Sequence, residues 1–560
     1  MLKTTVPAAF LFAFFCLGVL NADASADQSI DCVNQEAAEN PTVQGIVLVS
    51  SCEKLLSPDE AKKVKGVHNV DVALPDGTYR LQDRLYHKVN APFCKKWLEE
   101  VKREVMDYYK ECNRPFMIVE IPEQDITDGV VQLVVKEGKI GKITCTGNQY
   151  YPDEYFADFL GLKEGQQIVY DVLSQSVAWL GMRPFSKAKL VFKPGEKEGE
   201  VDIEIIAEDR KPWRVFAGAD NSGTEGTHYG RVFGGAVIDN VFKSGGVLTY
   251  QYKSSYDFER MRNNTFGYVV PIDCGHILGF YGTYSTVKPK IRDFKSHGYF
   301  VQGTFGYSIP LNWRVCQWLN NIGFGFNYKR LNNNLLFVDN PEPPIIDGGV
   351  NMTQLFASYS LGKHHLKHSL TLNGQIIVSP GNIIGQESNH DYQALQNGAH
   401  SSYAYLTMRG EYLFYLPQHW TVTLKSTAEA STGTLLPSEQ LLLGGLQSVR
   451  GYDPGEYLAD NGLTFSTELW TPPIDFHLGK IKKTNGYLIF LGFIDSAVGN
   501  QYHPLGGTRK TDYMIGIGPA LRYKIDPYLE IELDYGYKLH KVKGGSGLDQ
   551  RLYFSIMASY

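Results

Sequence analysis

From Trp213 to Tyr560, apolar and polar residues alternate with period two over runs of ten to fourteen residues. Tyr528–His540 is the clearest run. Leu529, Ile531, Leu533, Tyr535, Tyr537 and Leu539 share one face, and Glu530, Glu532, Asp534, Gly536, Lys538 and His540 share the other. That period belongs to a strand with one apolar and one polar side. Such strands are predicted near 213–221, 228–239, 245–257, 263–272, 277–288, 297–309, 317–330, 351–361, 367–379, 402–416, 419–430, 461–471, 487–496, 512–525, 528–540 and 550–560. The count is sixteen, and each run reaches the roughly 9–11 residues that a membrane-crossing strand needs. Connectors after odd strands are generally the longer ones (331–350, 380–401, 431–460, 497–511), while most after even strands are tight, with 472–486 as the exception. Long loops on one side and short turns on the other fit an outer-membrane barrel; a soluble sandwich has no reason to segregate them.

Upstream, the period changes to a mixture. Val43–Val49 reads as a strand and Ser57-Pro-Asp-Glu60 as a helix start. Pro92 to about Asn113 carries Phe93, Trp97, Leu98, Val101, Val105, Met106 and Tyr109 at helical spacing, and strands follow at Phe116–Ile121 and Val130–Lys136. A second unit reads strand 139–146, helix 152–159, helix 170–180, strand 187–192, strand 200–207. Residues 42–209 are thus two small mixed α/β modules.

Composition narrows the class. The chain has 560 residues, 43% of them hydrophobic and 20% charged, with a net charge of −6. These values exclude a disordered chain, and no basic excess marks a nucleic-acid surface. The 56 glycines, 35 tyrosines and 29 phenylalanines belong to turns and strands. Beyond the N-terminus no apolar run is long enough for a spanning helix. The N-terminus itself reads as a signal peptide: a lysine, an apolar stretch, then Ala22-Asp-Ala24 and Ala24-Ser-Ala26, with cleavage expected after Ala26. Export would leave Cys32, Cys52, Cys94, Cys112, Cys145, Cys274 and Cys316 in an oxidising compartment. Cys94 and Cys112 sit at opposite ends of one predicted helix, roughly 27 Å apart, and cannot bridge. Cys274 and Cys316 both fall in predicted periplasmic turns and are a candidate disulfide.

Specific motifs then carry a resemblance. Ile121-Pro122-Glu-Gln124 through Gly129, followed by Glu137-Gly138 and Gly147-Asn148, resembles the polypeptide-transport-associated (POTRA) domain of two-partner secretion transporters. Gly444-Gly445 followed by Val449-Arg450-Gly451-Tyr452 resembles the lumen-plugging sixth loop of the superfamily that includes those transporters and barrel-assembly proteins. Phe493-Ile-Asp495 resembles its barrel-wall motif, and Arg210-Lys-Pro-Trp213 and Asp220-Asn-Ser-Gly-Thr224 match the entry to the barrel. A last strand carrying Phe554 and ending on Tyr560 resembles the signal read by bacterial barrel-assembly machinery.

The resemblance implies α+β periplasmic POTRA modules followed by a 16-stranded antiparallel transmembrane β-barrel. The expected order is signal peptide 1–26, a tail 27–41 that is a candidate plug, POTRA modules 42–137 and 138–209, and barrel 210–560. It also implies an outer-membrane transporter that captures an unfolded exoprotein and secretes or activates it through the pore. The expected partners are that exoprotein, outer-membrane lipid and the assembly machinery, with no nucleic acid, cofactor or metal. Arg450 is expected to offer its planar fork to Asp495, with Glu468 as a second acceptor. No nucleophile triad, phosphate loop or paired-carboxylate cleft stands out, so an enzyme is not expected. The rivals are a barrel-assembly insertase on the same architecture and a passive porin. The porin leaves the upstream modules unexplained.

Overall fold

The computed structural model describes residues 41–560 apart from 76–77, 127, 182, 198, 273–275, 292–293, 312–317, 338–345, 365–366, 477–485, 505–507 and 546. The expected signal peptide, residues 27–40 of the candidate plug 27–41 and the candidate pair Cys274 and Cys316 lie outside the described residues. Two compact units emerge among the described residues: one contains those up to Cys112 together with Met117–Lys136, the other Asn113–Phe116 together with Glu137–Tyr560.

The first unit is built on a sheet ordered Gly66–Asn69, Gly45–Val49, Val130–Glu137, Met117–Glu120. Gly45–Val49 runs parallel to both of its neighbours. Helices Thr78–Tyr86 and Lys95–Glu111 cover one face, where Leu81, Leu85, Trp97, Val101 and Val105 pack on Ile46, Leu48, Val131 and Leu133. Leu55, Leu56, Ala61 and Val64 close the other face over Val47, Val49 and Val134. Burial on both faces explains why Gly45–Val49 is apolar without alternation. The long helix runs Lys95–Glu111, with Cys94 and Cys112 as its two caps, so the expected separation of those thiols holds. Two elements here are absent from the sequence reading: strand Gly66–Asn69 and helix Thr78–Tyr86.

In the second unit, Glu200–Asp209 is the centre of a three-stranded sheet, parallel to Lys139–Thr146 and antiparallel to Ser186–Pro194. Ile203, Ile205 and Ala207 turn inward under helices Asp153–Leu160 and Tyr170–Gly181. This module is tied to the barrel at Asp239, whose buried carboxylate accepts from Tyr151 Oη (2.7 Å) and pairs with Arg183.

The barrel closes with sixteen antiparallel strands, from Trp213–Asp220 to Gln550–Ser559, and those two pair with each other. All sixteen predicted strands are present. Leu533, Tyr535 and Tyr537 face outward and exposed, while Asp534, Gly536 and Lys538 of the same strand are buried inside. One connector differs from expectation. Residues 331–350 were expected to be a loop, but Phe294–Leu311, Leu319–Phe337 and Ile346–His364 form a tall, continuous ladder. Asn332-Asn333-Asn334 reads as a turn, yet each residue is paired on both sides, so ladder hydrogen bonds override the local preference. Connector 380–401 contains helix Asn389–Leu395, started by a Ser388–Asp391 capping box. The longest connector folds inward on a short ribbon, Leu441–Leu443 paired with Tyr457–Ala459.

Candidate functional site

The tip of that ribbon is the candidate site. Gly444 and Gly445 (φ +99° and +95°) turn the chain, and Gly451 (φ +103°) turns it again in a conformation that disfavours any side chain. Between them Val449 and Arg450 are pushed against the lumenal wall, 0% and 4% exposed. Two wall glycines make the approach possible. A methyl at Gly516 would lie 2.0 Å from the Arg450 carbonyl oxygen, and one at Gly536 would lie 2.3 Å from the Gly451 nitrogen. The tip is therefore seated backbone-to-backbone in a glycine trough.

Arg450 then fans out over three strands. Its Nε and Nη2 donate to the two oxygens of Asp495 (2.7 and 2.8 Å), and its backbone N–H donates to the same carboxylate (3.0 Å). Nη2 also lies 2.9 Å from Glu468, and Nη1 donates to Asp534 at 3.1 Å. The guanidinium plane sits 3.5 Å from the Phe493 ring centroid, a cation–π contact beneath the fork. Ser466 Oγ donates to Asp495 (2.6 Å) and holds its rotamer. Charge is balanced locally: Arg522 pairs with Asp534 (2.8 Å) and Lys425 with Glu468 (3.2 Å), so three cations face three carboxylates. Burying Arg450, Arg522 and the three carboxylates is tolerable only because each is paired and hydrogen-bonded.

Tyr452 completes the seat. Its buried hydroxyl accepts from the Ile515 N–H (3.1 Å) and lies against the His540 carbonyl, while Tyr553 Oη donates to the Tyr452 carbonyl (2.5 Å). Next to it Lys538 pairs with Glu456 (2.9 Å), and Arg551 pairs with Asp453. The tip thus touches strands Asn461–Trp470, Gly486–Asn500, Thr511–Ile525, Leu529–Lys538 and Gln550–Ser559. On its other side a cavity of about 340 Å³ remains, lined by Asn373, Arg409, Thr427, Gln447 and Thr464.

The structure brings Val449, Arg450, Gly451, Tyr452, Phe493, Asp495 and Glu468 together at one place on the lumenal wall. Sequence reasoning missed Asp534, Arg522, Gly516 and Gly536. Asp534 and Gly536 stood on the polar face of the clearest strand, which was the available signal; nothing local pointed to Gly516 or Arg522.

The other predicted residues lie elsewhere. The Gln124 side chain acts as a surrogate strand: Nε2 donates to the Gln132 carbonyl (2.8 Å) and Oε1 accepts its N–H (2.7 Å). Pro122 lies just before it and lends its carbonyl at 3.3 Å. Gly129 (φ +72°) passes so close to Thr42 that a methyl would lie 2.4 Å from its carbonyl oxygen. Glu137 pairs with Arg114 (2.5 Å), and Gly138 donates its N–H to the Phe116 carbonyl (2.8 Å). The contacts of these residues lie within the two modules and close their folds. Phe554 and Tyr560 are exposed on the outer face, with Tyr560 beside Trp213 (5.8 Å between centroids). Among the described cysteines, burial pushes the Cys145 thiol up to about 11. No group able to hold a metal occurs among the described residues.

Comparison with known proteins shows what the chain as a whole is similar to. The family model described as haemolysin secretion/activation protein ShlB/FhaC/HecB matches residues 199–492. The heme/hemopexin transporter protein HuxB of Haemophilus influenzae is 23% identical over 415 residues, which cover 70% of this chain and 71% of the relative. The outer membrane transporter CdiB of Dickeya dadantii (strain 3937) is 23% identical over 375 residues, 63% of each chain. Among solved structures, CdiB from Escherichia coli gives a TM-score of 0.76 over 95% of this chain and 93% of its own, at 19% identity.

Proposed function

The chain belongs to the haemolysin secretion/activation protein ShlB/FhaC/HecB family, and from that membership we propose how its closed lumen serves protein export. It is an outer-membrane transporter of the two-partner secretion type, with POTRA modules preceding a sixteen-stranded barrel. Its partner is a secreted exoprotein. Open sheet edges on the POTRA modules, Met117–Glu120 in the first and Ser186–Pro194 in the second, offer unpaired backbone groups. They would take an extended segment of that exoprotein by strand addition. The exoprotein then crosses the lumen and is secreted, with activation during passage as part of the same proposal. Lipid meets the outward apolar band, and the assembly machinery meets the last strand at Phe554 and Tyr560. Nothing in this sequence of events calls for a catalytic residue.

One observation carries the reading: Arg450 is buried against Asp495, Glu468 and Asp534, and pins the loop across the lumen. A barrel of sixteen strands is wide enough to hold water, so an occluding loop with a releasable charged tip is a gate. The barrel-assembly insertase alternative has less support, because the relatives HuxB and CdiB are named as transporters. The test compares secreted and outer-membrane proteomes with and without the gene. Loss of one or two large secreted proteins, with the other barrels unchanged, supports the reading; broad loss of outer-membrane barrels overturns it in favour of an insertase.

A further inference from the structure

The long loop meets the wall a second time, at its base. Glu439 is 4% exposed, and its carboxylate accepts from Lys329 Nζ through both oxygens (2.9 and 2.9 Å), from Gln354 Nε2 (2.7 Å) and from Tyr405 Oη (2.8 Å). Lys329, Gln354 and Tyr405 stand on Leu319–Phe337, Ile346–His364 and Tyr403–Tyr415, strands other than those that hold Arg450. The sense of the charge is reversed. At Arg450 the loop supplies the cation and the wall the anions; at Glu439 the loop supplies the anion and the wall the cation, as it also does where Asp453 and Glu456 meet Arg551 and Lys538.

The base is a built site. Leu435 and Leu436, each 1% exposed, pack with Tyr392 of the helix Asn389–Leu395, with Met352 and with Tyr403. The Leu435 N–H and Gln440 Nε2 both donate to Asp460 (2.9 and 2.8 Å), which fixes the direction in which the loop leaves the wall. A lumenal lysine facing water would need no partner. Burying Lys329 with Glu439 incurs a desolvation cost that is recovered only while the loop is docked. Room for movement lies beside it: a cavity of about 430 Å³ along the base and the 340 Å³ cavity along the tip are both lined by Arg409 and Thr427.

We propose that Lys329 and Glu439 form a second anchor for the gating loop, released independently of Arg450, and that they are positioning residues for transport. The tip leaves the wall while the base stays held, so the loop swings within the lumen instead of leaving it whole. The inference rests on the transporter reading above, but its test needs no exoprotein.

Full-length protein carrying Lys329→Glu, Glu439→Lys, the charge-swapped double variant or Lys329→Arg is reconstituted in planar lipid bilayers, and the time spent in high-conductance states is recorded. Heat-shifted migration on gels selects folded barrels; if a reversed charge prevents insertion, the isosteric Glu439→Gln carries the same test. Each single reversal, or Glu439→Gln, is expected to raise high-conductance occupancy by about tenfold or more. The swapped pair is expected to return to within about twofold of the parent, with Lys329→Arg unchanged. Combining Glu439→Gln with Arg450→Ala should multiply the two effects. Singles that conduct like the parent, or a swapped pair no better than the singles, would overturn the anchor. A secreted proteome that does not change when the gene is removed, or a broad loss of outer-membrane barrels, would overturn the transporter reading and leave the anchor standing.

Discussion

The Asp495 carboxylate receives three hydrogen bonds from one residue: Arg450 gives it Nε–H at 2.7 Å, Nη2–H at 2.8 Å and its own backbone N–H at 3.0 Å. Side chain and main chain of the loop tip therefore report to a single wall residue. Any movement of the tip breaks all three bonds together, which makes the contact cooperative and suits a two-position gate.

Arg450→Ala leaves Asp495, Glu468 and Asp534 facing the lumen with only Arg522 and Lys425 to balance them. Removing one partner of a buried, hydrogen-bonded pair costs about 3–5 kcal/mol. The expected outcome is a loop that cannot return to its seat between transport cycles and an export defect of about a hundredfold, in a barrel that still inserts and shifts on heating. Arg450→Lys should rescue only in part, since one ammonium cannot span three carboxylates. Quantifying exoprotein in supernatants against barrel in membranes checks both.

Gly536→Ala tests the seat without touching a charge. The added methyl would lie 2.3 Å from the Gly451 nitrogen, in backbone that cannot yield as a side chain would. Displacement of the tip and a phenotype matching Arg450→Ala are expected, read as faster thiol labelling of a Gln447→Cys reporter. Gly516→Ala should behave alike, because its methyl would lie 2.0 Å from the Arg450 carbonyl oxygen.

Gln124→Ala removes the two hydrogen bonds that make this side chain a surrogate strand against Gln132. The expected loss is about 1–3 kcal/mol of local stability. Limited proteolysis of the full-length protein should cut the first module sooner, while the heat-shifted migration of the barrel stays unchanged.

The thiols supply a check on the modules that is independent of transport. Cys52 and Cys94 are exposed and Cys112 is buried. Desolvation by burial holds the Cys145 thiol near 11, so its reactive thiolate is scarce at pH 8. Maleimide should label Cys52 and Cys94 quickly and leave Cys112 and Cys145 largely untouched until the chain is denatured, with mass spectrometry of peptides as the readout.

Some of this was legible in the sequence because its signals are local. The sixteen barrel strands carry period two, and the Val449–Tyr452 motif stands between glycine turns. Asp534 was harder, because its meeting with Arg450 depends on barrel register. Ser466 faces Asp495, and Asp495 faces Gly516, only once the ladders are aligned across successive strands. The same holds for Glu439, whose partner Lys329 lies far back in the chain on a strand that the Asn332–Asn334 run made look shorter. Strand Gly66–Asn69 is four residues held by pairing with Gly45–Leu48, a tertiary effect that outweighs its weak local preference.

The central claim is that the loop must leave the wall for export, and a reversible tether tests it most directly. Gln447 on the loop and Thr464 on the wall line the same lumenal cavity. Cysteines at both positions, bridged in cells by a short reducible bis-maleimide, would fasten the tip in its observed place. The account predicts that export stops in the bridged protein and returns when the linker is reduced, with the unbridged double variant exporting normally. Undiminished export through a barrel whose loop is demonstrably fastened to the wall would contradict it.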